Sequence, residues 1–341
     1  MGNNTYASAG VDIAAKTQAF DLMKQAVRST YGPEVLAGIG AFGGLFDASA
    51  LKGMEHPVLV ASTDGVGTKT KVAAKMNRWD TIGQDLVNHC INDILVQGAQ
   101  PLFFQDYVAS SKLHPEQIAA IVSGVANACR EAGCALLGGE TAEMPGVYET
   151  GEIDLAGTII GLVERDNVID GSGIQAGDAI LGLDSTGLHT NGFSLARRVL
   201  DGLDWENIHP QLGETIGDAL LKVHRSYLDP IKQLWAAGID IHGMAHITGG
   251  GFQDNLPRVL PENVGAVIKR GTWPELSIFK LIQAQGQIAD DEMFHVFNMG
   301  IGMLVVVPAE HVAIAQKTLN SYVYHVGEIV TGNRLVTVKS T

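Results

Sequence analysis

The sequence predicts two domains, each mixing β-strands with α-helices. Three observations carry this expectation. The chain has 341 residues, more than one hydrophobic core commonly serves. Short apolar runs ending in glycine alternate with segments whose apolar residues recur at helical spacing. The pattern also restarts near residue 170, where the turn cluster Asp170-Gly171-Ser172-Gly173 precedes a new apolar run. The boundary is therefore drawn there, giving domains 1–170 and 171–341.

The elements follow in order. Residues 14–30 read as an amphipathic helix with Phe20, Met23, Ala26 and Val27 on one face and Lys16, Lys24 and Arg28 on a solvated opposite face. The stretch from Gly38 to Phe46 holds too much glycine for a stable helix or strand, and its Phe42 and Phe46 imply a loop that closes on something apolar. Val58-Leu59-Val60-Ala61 reads as a buried strand, part of a strand over 57–63. It leads into Thr63-Asp64-Gly65-Val66-Gly67-Thr68-Lys69. There Gly65 and Gly67 permit positive φ and close approach of a ligand. Asp64 supplies a hard oxygen for Mg²⁺, and Thr68 and Lys69 offer a hydroxyl and an ammonium to phosphate.

Residues 79–97 form a strong helical pattern. Its polar stripe carries Asp85, Asn88, His89, Asn92 and Asp93 without one lysine or arginine, a composition suited to a cation or a hydrogen-bonded ligand. A strand over 101–108 precedes a helix opened by Pro115 and closed by Gly133. A short strand at 134–137 is expected to turn through Gly138-Gly139-Glu140-Thr141, repeating the logic of the first corner. Further strands are expected over 155–164 and 179–183. The second enters a loop holding His189 and Asn191 before a helix at Phe193. Residues 215–237 read as one long helix. Thr248-Gly249-Gly250-Gly251 before Phe252 reads as an anion cradle at a helix start. Strands at 264–269, 301–307, 325–330 and 334–338 and helices at 274–285 and 310–322 complete the pattern.

Composition narrows the function. The net charge of −14 argues against a nucleic-acid or anionic-membrane binder, while leaving room for a local phosphate site. Glycine, 41 of 341, exceeds the usual ~7% and clusters at the ends of apolar segments, as in a folded domain rather than a linker. Three cysteines, Cys90, Cys129 and Cys134, with no C-x-x-C, imply a reduced cytoplasmic chain without disulfide framework or zinc site. No signal-peptide pattern and no run approaching the ~18 apolar residues of a membrane span are present.

Taken together, Ala9-Gly10-Val11-Asp12, Thr63–Lys69, Asn92-Asp93, Gly138–Pro145, Leu188–Gly192 and Ala245–Phe252 closely resemble the phosphoribosylformylglycinamidine cyclo-ligase (aminoimidazole ribonucleotide synthetase) family. The motifs run in the same order along nearly the whole chain. Glycine-loop residues Gly40-Ala41-Phe42-Gly43 depart from the expected paired glycines before Phe42, which alanine at negative φ would tolerate.

The resemblance implies an α+β fold of two mixed α/β domains, with the N-terminal sheet pairing with that of a second copy into a barrel, hence a homodimer. It implies ATP and Mg²⁺ bound mainly by the first domain, and the substrate formylglycinamidine ribonucleotide toward the second. On it, Asp64, Asp93 and Glu140 would hold the metal. Lys24, Gly40, Phe42, Gly43, Gly65, Thr68, Lys69, Gly139 and Thr141 would bind the nucleotide with those acids. His189, Asn191, His246, Thr248, Gly249, Gly250 and Gly251 would bind substrate. His189, Asp64 and Asp93 would be catalytic, with His189 moving a proton. Rival readings are a small-molecule kinase or dikinase of the same superfamily, or a non-catalytic nucleotide-binding dimer. The first cysteine, Cys90, lies inside a helix, unlike the N-terminal reactive cysteine of selenide dikinases. The intact acids and His189 argue against the non-catalytic reading.

Overall fold

In a computed structural model the chain divides into two compact units, Met1–Ile94 with Ala99–Asp166, and Leu95–Gly98 with Asn167–Thr341. The structure describes residues 13–340, apart from the side chain of Ser321. The motif at 9–12 lies outside the described residues.

The first unit opens with α1 (Ile13–Arg28), followed by a small antiparallel pair, β1 (Val35–Ala37) and β2 (Leu45–Phe46). Then come β3 (Pro57–Gly65), α2 (Lys69–Met76), α3 (Ile82–Leu95), β4 (Gln100–Ser110), α4 (Pro115–Ala132), β5 (Ala135–Glu143) and β6 (Ile153–Glu164). The four long strands form one sheet in the order β3-β6-β4-β5. Only β4 and β5 are parallel, which is why α4 must cross between them. Pro115 stands in the first turn of α4, and Gly133 ends it with φ +71.

Strand β6 shows how the sheet sits. Ile153, Leu155, Gly157, Ile159, Gly161 and Val163 are buried on one face, while the residues between them are partly exposed. Period-two alternation of this kind marks a sheet with one covered face. The open face carries Leu59, 60% exposed, with Leu162 opposite it and Ile160 opposite Ala61. Residues 58–61, expected to be a buried strand, therefore lie in an edge strand with alternating exposure. An apolar run reports burial of a strand, but not whether a partner outside the chain covers one face.

Two glycines let α3 and α4 touch backbone to backbone. A Cβ on Gly83 would lie 2.0 Å from the Ile121 carbonyl oxygen, and one on Gly124 would lie 2.6 Å from that of Asp80. Neither obstacle is a flexible side chain. Gly83→Ala is thus expected to force the helices apart and destabilise the unit by about 1–3 kcal/mol, read as a lower midpoint in urea unfolding. An unchanged midpoint would show that the crossing is loose.

The second unit contains β7 (Ala179–Asp184), α5 (Phe193–Leu200), β8 (Ile208–His209), β9 (Glu214–Thr215), α6 (Ile216–Leu221), α7 (Leu228–Ala236), β10 (Gly243–His246) and α8 (Gly251–Asn255). It continues with β11 (Val264–Arg270), α9 (Ser277–Gly286), α10 (Asp290–Val296), β12 (Ile301–Val307), α11 (Val312–Leu319), β13 (Val323–Thr331) and β14 (Val336–Ser340). Six strands form a mixed sheet in the order β10-β12-β7-β13-β11-β14. Its central strands β7 and β12 are buried almost throughout.

The single helix expected over 215–237 is broken. Residues 222–227 carry no helix between α6 and α7. Pro230 explains the restart: it lacks an N–H and its ring clashes with a carbonyl one turn earlier, so it fits only the first turn of a new helix. Helix α10 does not appear among the expected elements, and α11 is shorter than 310–322.

Candidate active site

Strand β3 and helix α3 build an acidic centre in the first unit. Asp64 is the penultimate residue of β3. On α3, His89 and Asp93 stand one turn apart and face the strand. His89 Nε2 lies 3.0 Å from Asp64 Oδ2 and 3.7 Å from Asp93 Oδ2, and Ser62 Oγ donates to Asp93 Oδ2 at 3.0 Å. Burial favours neutral His89, but the Asp64 hydrogen bond and the charges of Asp93, Asp64 and Asp85 outweigh it and raise its pKa. The side chain of Asp64 is 49% exposed and that of Asp93 22%. Two hard carboxylates thus converge at an accessible point, a donor set that fits Mg²⁺.

The polar stripe of α3 is buried rather than solvated, with Asp85, Asn88, His89 and Asn92 all inside. Lys69 explains part of this. Expected at phosphate, it is fully buried and its Nζ pairs with Asp85 Oδ2 at 2.8 Å. Spacing alone does not separate a lysine reaching outward from one folded back beneath its own loop. The loop also needs one left-handed glycine where two were expected. Gly67 has φ +53, whereas Gly65 remains in β3, where a Cβ would press on the Leu155 carbonyl at 2.9 Å. Thr68 precedes α2 as its cap residue.

Glu140 does not join Asp64 and Asp93 within the chain. Gly138-Gly139-Glu140-Thr141 forms no corner, because β5 runs straight through it. Strands β3 and β5 are opposite edges of a four-stranded sheet, about 14 Å apart at the usual strand spacing. Glu140 instead pairs with Lys16 Nζ at 2.9 Å.

That pair borders a cavity of about 640 Å³ between α1, the glycine loop and β5, within the usual ~300–1,000 Å³ of small-molecule sites. It gathers Gly40, Phe42, Gly43, Gly139, Glu140 and Thr141. Phe20, Met23 and Val27 form an apolar wall. Phe42 projects fully into solvent from the loop, and Gly40 has φ +98 whereas Ala41 has no positive φ. Lys24 lies over the Phe20 ring, 5.9 Å from its centroid, and is not part of the lining. Lys16, read as a solvated surface residue, is.

In the second unit, β7 and β10 both run antiparallel to β12, which lies between them. Their C-terminal ends therefore meet at one edge of the sheet, bringing together the loops at 185–192 and 247–250. A Cβ on Gly249 would lie 3.5 Å from Asn191 Oδ1. His189 is 1% exposed, contrary to the usual exposure of a polar loop, and holds φ +63. Its ring stacks on His224 at 4.0 Å between centroids. His224 Nε2 meets His246 Nε2 at 3.1 Å, and Thr190 Oγ1 lies 3.3 Å from His224 Nδ1. Gly302 makes the room: a Cβ there would stand 2.5 Å from His189 Cε1 and 2.1 Å from the Tyr227 hydroxyl.

The glycines of the 248–251 cradle are also explained by packing. A Cβ on Gly251 would strike the Phe294 carbonyl oxygen at 1.8 Å, and one on Gly250 would strike Asp254. Asn255 Nδ2 donates to the carbonyls of Gly251 at 2.8 Å and Gly249 at 3.2 Å, and Thr248 Oγ1 to Asn255 Oδ1 at 3.1 Å. His224, absent from the residues expected at the site, sits in the non-helical break after α6. Pro230, inside the assumed helix, was the signal for that break.

The family described as AIR synthase related protein, N-terminal domain, matches residues 46–163, and its C-terminal domain matches 175–339. The phosphoribosylformylglycinamidine cyclo-ligase of Desulfitobacterium hafniense is 53% identical over 317 residues, covering 93% of each chain. That of Geobacillus thermodenitrificans is 52% identical over 333 residues, covering 96% of each. The chain belongs to the phosphoribosylformylglycinamidine cyclo-ligase family. Among solved structures, the fold is similar to thiamine-monophosphate kinase from Stenotrophomonas maltophilia (TM-score 0.68, 18% identity, 93% and 96% coverage). It is also similar to hydrogenase maturation protein HypE in complex with ATP (TM-score 0.69, 18% identity, 100% and 93% coverage). At that identity the cyclo-ligase family shares a fold with these proteins and no more. No helix among the described residues is long and apolar enough to cross a membrane.

Proposed function

We propose that this protein closes the imidazole ring of aminoimidazole ribonucleotide from formylglycinamidine ribonucleotide, consuming ATP and releasing ADP and phosphate. The observation that carries this reading is the similarity to cyclo-ligases along 93% of both chains. When bound, ATP would supply the phosphoryl group that turns the formyl amide oxygen into a leaving group, and Mg²⁺ would neutralise the charge on the phosphates. Asp64 and Asp93 would hold the metal, and His89 keeps Asp64 oriented through its 3.0 Å contact. The cavity beside α1 would take the nucleotide, with the loop of Gly40, Phe42 and Gly43 closing over it and Glu140 and Thr141 at its rim.

In the second domain, His189, Asn191 and His246 would contact the formylglycinamidine end. Thr248, Gly249, Gly250 and Gly251 would take an anionic group, most simply the ribose 5′-phosphate. The His189–His224–His246 array supports proton movement by His189, since imidazoles titrate near neutral pH. The open face of the first sheet, with Leu59, Ile160 and Leu162, supports a homodimer whose sheets pair into a barrel. The domains would divide near 170 into nucleotide-binding and substrate-binding parts.

An assay of ADP release that requires formylglycinamidine ribonucleotide tests the reading; ADP release indifferent to that substrate would sink it. His189→Ala is expected to lower kcat for ring closure by about 10²-fold while the Kd for ATP stays within about twofold. A large loss of ATP affinity with kcat preserved would put His189 on the other ligand.

A further inference from the structure

The roles above leave one acid of the cavity without a task. Asp106 lines the cavity from β4, at the register position of Gly139 on β5. A Cβ on Gly139 would lie 2.1 Å from Asp106 Oδ1, so only a glycine there lets the carboxyl lie flat on the strand beside it. The carboxyl is held by its own backbone N–H, and among the described residues no side chain bonds to it. The lining also includes the apolar Phe20, Val122 and Leu136. The charged groups of the lining besides Asp106 are Lys16 and Glu140, which pair with each other at the mouth.

An apolar slot with one unengaged acid at its floor fits a planar heterocycle that offers one donor and one acceptor side by side. Resting on the reading that the nucleotide occupies this cavity, we propose that Asp106 is the residue that binds the adenine edge: its carboxyl O–H donates to adenine N1 while its other oxygen accepts from the exocyclic amine. Burial pushes the Asp106 carboxyl up to about 7, which makes the neutral, donating form available. A base with C–H in place of N1 would leave that buried O–H unpaired, the arrangement by which polar sites reject analogues most strongly.

The test uses the full chain. 8-Azido-ATP labelling with peptide mapping locates the nucleotide, and ADP-release kinetics are measured with ATP and with 1-deaza-ATP, which has C–H in place of N1. Labelling within 16–44 and 136–141 is expected, with 1-deaza-ATP at least ~10-fold below ATP in kcat/KM in the wild type. Asp106→Asn, whose amide also offers a donor and an acceptor, should keep the preference for ATP over 1-deaza-ATP. Asp106→Ala should raise the KM for ATP at least ~10-fold with kcat little changed and cut the ATP-to-1-deaza-ATP ratio of kcat/KM by a similar factor. Cavity labelling with equal use of ATP and 1-deaza-ATP by the wild type, or an unchanged ATP-to-1-deaza-ATP ratio in Asp106→Ala, overturns the proposal alone. Labelling outside those segments overturns the nucleotide reading as well. The 1-deaza-ATP comparison needs no variant, so it stands even if Asp106→Ala fails to fold.

Discussion

Replacing Lys69 with alanine is expected to destabilise the first domain by about 3–5 kcal/mol, read as a large drop in the urea midpoint at constant slope. Lys69 and Asp85 are each fully buried and lie 2.8 Å apart. Burial lowers the Lys69 pKa, and the Asp85 charge and hydrogen bond oppose that shift. Removing the ammonium leaves Asp85 as a carboxylate in the interior without its ion-pair partner, which is the costly half of such a pair. Replacing both, Lys69→Met with Asp85→Leu, should recover most of the loss, because an apolar pair of similar size needs no desolvation of charge. If the single variant unfolds at the wild-type midpoint, the pair is not structural. If the double variant is stable yet has lost affinity for ATP, Lys69 reaches phosphate after all.

Asp64→Asn is expected to reduce metal-dependent ATP turnover by about 10³-fold, a loss of several kcal/mol of charge stabilisation. The fold should survive, because an amide oxygen can still accept from His89 at the 3.0 Å position Asp64 Oδ2 now occupies. Two measurements check this together: turnover against Mg²⁺ concentration, and the melting temperature. Near-normal turnover with weakened Mg²⁺ dependence would mean that Asp93 suffices. Near-normal turnover with unchanged dependence would remove Asp64 from the metal site.

Much of this was legible in the chain because the signals are local. Pro115 and Gly133 bracket α4, and the period-two alternation of 153–164 marks β6. The lysine-free stripe on α3 announced a face with a special environment, and that face carries the His89 and Asp93 that meet Asp64. Other features were not legible. Nothing in the spacing of Thr63–Lys69 shows that Lys69 turns inward. Nothing in Gly138-Gly139 distinguishes a corner from a strand whose glycine gives way to Asp106. His224 became visible only once the helix over 215–237 was broken by Pro230.

The sequence by itself determined most of the order of strands and helices, the two-part organisation and the family, because periodicity, turn chemistry and motif order are properties of neighbouring residues. The tertiary structure decided which polar groups meet. It set Lys69 against Asp85, separated Glu140 from Asp64, stacked His189 on His224 and laid Asp106 on Gly139. Those pairings depend on strand order and helix crossing, which bring together residues tens of positions apart and bury charges only where a partner awaits them.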